Sequence, residues 1–216
     1  AAMAFLWYLL PELAIIIFLV YSSWHFGQAD GKQWGFSPVL SFIWGVFLLF
    51  YILGTHMKET NSITSIIGHL TLPIAFPSWV IIPWIIWSII RKQASFSLTL
   101  IWLFLSSQLP LLFAFGIYFI GQHSITSWKH MSAHLKLSNR KIWLQSLPFH
   151  AGAWIMLMLF FYFYPTSKGF GIIESRQLGI FFIFIACISL PHVISMQSLY
   201  AKTIFLEKGG NKKPIE

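Results

Sequence analysis

The stretch from Ile117 to His130 constrains this chain most. It is largely apolar, holds no proline, and reads as one helix carrying His123, Ser124 and His130. Two further segments embed a single histidine in hydrophobic sequence. They are Trp24-His25-Phe26-Gly27-Gln28-Ala29-Asp30 and Leu190-Pro191-His192. An imidazole in apolar surroundings is expensive, so several of them together mark a functional site rather than packing.

Composition decides what kind of helix this is. Charged residues make up 9% of the 216-residue chain, against about 25% in a soluble domain, and mean hydropathy is +0.72. The expected fold class is therefore all-α, a polytopic transmembrane bundle forming one integral-membrane domain over 1–216. No basic segment with a short apolar core and a small-residue cleavage site opens the chain, so a removable signal peptide is not expected. The chain starts inside an apolar run, 1–10, read either as a short first span or as the continuation of upstream sequence. Cys187 is the single cysteine and has no internal disulfide partner. The net charge of +8 is read as a topology signal, not as nucleic-acid binding.

About seven spans are predicted. They cover 12–26, 37–53, a region 64–90, 95–107, a span from 110 past His123, 148–164 and 178–200, with the 1–10 run counted apart. Pro73, Pro77 and Pro83 break the 64–90 region, which is read as interrupted or re-entrant. Eleven of the fourteen basic residues then fall on one side, including Arg91, Lys92, Lys136, Arg140, Lys141 and the tail lysines. That side, with the C-terminus, is expected to be cytoplasmic.

Counting along the spans puts three histidines at one depth. His25 follows Glu12 by 13 residues, His123 follows Pro110 by 13, and His192 follows Leu178 by 14. At about 1.5 Å per residue each lies roughly 20 Å along its span. Imidazoles suit iron, zinc, copper and nickel, so His25, His123 and His192 are the predicted metal ligands and catalytic residues. His130 lies roughly 10 Å further along its helix and is the contested fourth ligand. His56 and His134 read as loop residues, and His150 as interfacial. A lone membrane histidine can equally bridge helices by hydrogen bonding; three at one level, each beside polar residues, favour a metal.

These segments resemble the Brp/Blh family of membrane β-carotene 15,15′-dioxygenases. The block 24–30 is similar to that family's aromatic-His-Phe-Gly-Glu/Gln-x-Asp block. Tyr118-Phe119-Ile120-Gly121-Gln122-His123-Ser124 resembles its Tyr-Phe-x-x-x-His-Ser block, and Leu190-Pro191-His192 its late Leu-Pro-His block. Gly68-His69 followed by Pro73 resembles a further histidine segment. The blocks occur in family order. Two features depart: an upstream Pro-His-Gly-Ala-x-Asp motif is lacking, and Ser127 stands where a second histidine often follows His123. The fourth ligand is thus His130, His69, His134 or a residue upstream.

The resemblance implies an enzyme that uses Fe2+ and O2 to cleave β-carotene at its central double bond into two retinals. It also implies a functional link to a microbial rhodopsin. Asp30, five residues after His25, is a candidate carboxylate to orient an imidazole, with a plain loop acid the equal alternative. A His-box hydroxylase or desaturase is the enzymatic rival, but it needs clustered histidines and only His130 and His134 are so spaced. A non-enzymatic carotenoid or retinal transporter is the other rival. An opsin is disfavoured because no lysine falls mid-span for a Schiff base.

Overall fold

The computed structural model describes residues 2–68, 70–71, 75–163, 177, 179–187 and 189–195, and all regular structure among them is helical. In order these are α1 (Ala2–Leu9), α2 (Pro11–Trp34), α3 (Pro38–Thr55), α4 (Met57–Gly68), a 3-10 turn (Ser78–Ile81), α5 (Ile82–Ile90), α6 (Ala94–Ser106) and α7 (Leu111–Tyr118). A π-helical segment (Phe119–Ser124) leads into α8 (Ile125–Leu135), followed by α9 (Asn139–Phe163) and α10 (Gly179–Ser195).

Helix ends follow local chemistry. Gly35, at φ +69°, closes α2, its N–H bonding to the Gly31 carbonyl; this left-handed turn suits glycine. Two residues on, Ser37 caps α3 by accepting from Leu40 N at 3.3 Å, with Pro38 in the first turn. The 64–90 region is broken as expected: helix stops at Gly68 and resumes at Ser78.

Several features depart from the sequence reading. α2 runs on through the 27–34 stretch and stops where Gly35 takes the left-handed conformation. α9 begins at Asn139, not Pro148, since Ser138 Oγ accepts from Lys141 N at 3.4 Å and starts the helix nine residues earlier. Among the described residues a single helix, Pro38–Thr55, is long and apolar enough to cross a membrane by length and composition, so seven spans are not reached on that measure. Several of the other helices are visibly shorter, more polar or interrupted. α2 carries Glu12, Asp30 and Lys32, prolines divide 64–90, and α6 has only 13 residues.

α2 is the central element. Against α3 it packs backbone to backbone: a Cβ on Gly27 would strike the Ser41 carbonyl, and one on Gly45 the Ser23 carbonyl. Small residues at such spacing are how helices approach closely in an apolar medium. One core joins α2, α3, α4, α6 and α7 around Leu48, Ile52, Leu100 and Tyr118. A second joins α1, α2 and α10 around Trp7, Ala14, Ile15 and Ala186.

Candidate metal centre

Three helices converge on the histidines. α2 supplies His25, the π segment His123 and α10 His192, with one ligand nitrogen from each lying within 4.8 Å of the others. The His25 ring centroid is 4.9 Å from that of His123 and 5.3 Å from that of His192, both edge to face. Metal–nitrogen bonds of ~2.1 Å allow two ligands to stand at most about 4.2 Å apart, so small imidazole rotations close the trio on an ion.

Burial supports that use. His25 and His123 are 4% and 3% exposed, and His25 Nε2 and His123 Nδ1 are buried without a hydrogen-bond partner. A buried polar atom left unpaired costs roughly 1–3 kcal/mol, a cost that a coordinated cation removes. The residues therefore fit a metal. His192 is the exposed member and marks the open side. Phe26 packs edge-on to His123 at 4.6 Å, and Phe119 lies 5.5 Å from it, which keeps water from that imidazole.

Polar stitches set the helices around the trio. Tyr21 OH donates to the Ala186 carbonyl at 2.8 Å and pairs with Ser189 Oγ at 2.9 Å, fixing α10 beside α2 one turn before His192. Asp30, fully buried, accepts at Oδ2 from Trp44 Nε1 (2.9 Å) and Tyr118 OH (2.7 Å), and at Oδ1 from Gln122 Nε2 (3.2 Å). Gln33 Oε1 accepts from Gln122 Nε2 (3.3 Å) and Thr126 Oγ1 (2.9 Å). Residues 118, 122 and 126 thus all face α2. On an unbroken α-helix of 3.6 residues per turn, position 126 would have drifted about 80° from 118. The wide π turn takes up part of that drift and aims His123, between 122 and 126, at His25. π segments inside helices frequently mark functional sites.

The other predicted residues fall as follows. Among the described residues Asp30 makes no hydrogen bond to an imidazole; it holds the residue before His123 instead. His130 and His134 lie on α8, their side chains outside the described residues, and His69 lies outside them altogether. His56 lies in the turn between α3 and α4, in keeping with the loop reading, but is buried there, its ring nitrogens facing the Ile52 and Leu109 carbonyls at 2.7 Å each. His150 lies within α9, exposed, its Nδ1 2.8 Å from the Ser146 carbonyl. Tyr118, Gln122, Gln33 and Tyr21 were missed as site-forming residues; only their place beside His123 and His25 hinted at the role.

A family model described as "Beta-carotene 15,15'-dioxygenase" matches residues 1–200. The chain belongs to the β-carotene 15,15′-dioxygenase family. All three histidines and the Asp30 network lie within the matched stretch. Membership in this dioxygenase family makes the chain an enzyme of that class, with carotenoid cleavage the activity it suggests. No curated protein and no solved structure matches the chain.

Proposed function

We propose that this chain is an integral-membrane, Fe2+-dependent enzyme that cleaves β-carotene with O2 at its central double bond into two retinals. The observation that carries the reading is the buried trio His25, His123 and His192, with two orphaned ring nitrogens, inside a chain of this dioxygenase family. Neutral imidazoles suit Fe2+ and leave it open positions, and the bound ion would supply the place where O2 is activated. His130 is the proposed additional ligand.

The chain's own residues do the rest. The imidazoles hold the ion, Phe26 and Phe119 exclude water, and Asp30 keeps the His123 segment against α2. One C=C bond breaks and two C=O bonds form. Both oxygen atoms enter the products, so no external reductant or reductase partner is required.

A lipid-dissolved substrate suits the setting. Exposed apolar side chains such as Trp84, Ile86 and Ile90 on α5 and Trp154, Met158 and Phe163 on α9 form surfaces suited to hydrocarbon. The asymmetry of loop charges favours a plasma-membrane protein with a cytoplasmic C-terminus.

The test is His123→Ala. Iron should fall from one per chain to none by elemental analysis, and retinal should disappear from carotene-producing cells while the protein still inserts. A normal retinal yield would overturn the assignment. Two irons per wild-type chain would instead favour the hydroxylase reading.

A further inference from the structure

A narrow, partly open cavity of about 80 Å³ reaches the trio at Phe26, and its walls are almost wholly apolar. Phe26, whose ring touches His123, forms its near end. From there the cavity extends to one side only. On α2 the wall continues back through Ser22 to Ile15, on α7 it is Leu111 and Phe115, and on α10 Phe182 and Ile185. All of these precede the histidine of their own helix. The far end is built from Trp7 of α1 and Ile67 of α4, joined by a bond from Trp7 Nε1 to the Ile67 carbonyl at 3.0 Å.

Two helices give the length independently. Ile15 precedes His25 by ten residues and Leu111 precedes His123 by twelve, which is roughly 15 and 18 Å of helix. The cavity is therefore a long slot with a stop, and one that cannot hydrate favourably, since water there would find too few polar partners. Its occupant must be extended and uncharged. Much of the wall is Ile and Leu, so filling it spreads side chains rather than helices.

We propose that this slot is a measuring arm: it receives one half of an extended polyene, and the Trp7–Ile67 stop sets which double bond lies at the histidines. The inference rests on the cleavage reading above and adds what decides the position of the cut. A central cut requires the distance from trio to stop to equal half the extended substrate. Wherever the cut falls, one C=C and one O2 become two C=O ends. Moving the stop therefore changes the lengths of the two aldehydes and not the stoichiometry.

The experiment uses the full chain in carotene-producing cells, with products identified by mass. Trp7→Ala lengthens the arm, and the ratio of unequal aldehydes to retinal should rise at least tenfold. Ile63→Phe narrows it from the α4 side, and retinal should fall at least tenfold with iron still at one per chain. Wild-type product patterns from both folded, iron-loaded variants overturn the proposal. A second measurement avoids catalysis: retinal is titrated into purified His123→Ala and His123→Ala/Ile63→Phe by absorbance. A Kd at least tenfold weaker in the double variant supports the arm, and equal Kd values overturn it. If wild type makes no retinal, the cleavage reading fails, while the titration still judges the slot.

Discussion

α2 and α9 are nearly the same length, 24 and 25 residues, yet they live differently in the fold. Ten residues of α2 are buried, whereas Ile142 alone is buried among the described side chains of α9. Apolarity does not make the difference, since α9 carries Trp154, Ile155, Met158 and Leu159 on its surface. What separates them is close approach. α2 presents Ser23, Gly27 and Gly31 to Ser41 and Gly45, so two backbones meet, and buried polar groups then lock the contact. A Cβ on Gly152 of α9 would meet nothing within 4 Å. In an apolar medium, where greasy surface alone gains nothing, small residues and hydrogen bonds decide which helices join.

The contrast can be broken most severely at Gly27. Gly27→Leu drives a side chain into the Ser41 backbone, which cannot yield as a flexible side-chain end would. The expected loss is about 3 kcal/mol, the upper end for overpacking, read as unfolding in detergent. A variant as stable as wild type would show that α2 and α3 do not meet this closely.

Asp30→Asn tests the polar half of the contrast with a smaller effect. One amide oxygen can still accept from Trp44 and Tyr118, but the NH2 group then faces the Gln122 donor. Stability should drop by about 1 kcal/mol. Metal affinity, measured by titration, should fall roughly 10- to 100-fold, as when other groups supporting a ligand are lost. Unchanged affinity alongside reduced stability would reduce Asp30 to a structural role. The smallest effect belongs to α9, where Trp154→Ser should shift detergent stability by within about 0.5 kcal/mol. A loss above 2 kcal/mol would mean that α9 packs against protein after all.

Much of this was legible in the residues. The trio followed from counting His25, His123 and His192 from their span starts, because a helix converts residue number into depth. Pro73, Pro77 and Pro83 announced the break after α4. The remainder depended on partners distant in the chain. Asp30 reads as a plain neighbour of His25 until Tyr118 and Gln122, about 90 positions away, arrive beside it. His56 reads correctly as a turn residue, but nothing local reveals its burial or the Leu109 carbonyl waiting for it. Caps too weak to stand out, such as Ser138, moved the start of α9. The π turn has no signature in residue type at all.

That turn means the site is spelled partly by counting. From Phe119 to Ser124 the chain inserts length rather than chemistry, and two helical wheels of different phase are spliced at His123. Residues before the splice and residues after it cannot be projected on one diagram. A ligand's bearing here is a property of how many residues precede it, so aligned sequences that agree letter for letter around His123 still differ in architecture if one of them is a single residue shorter.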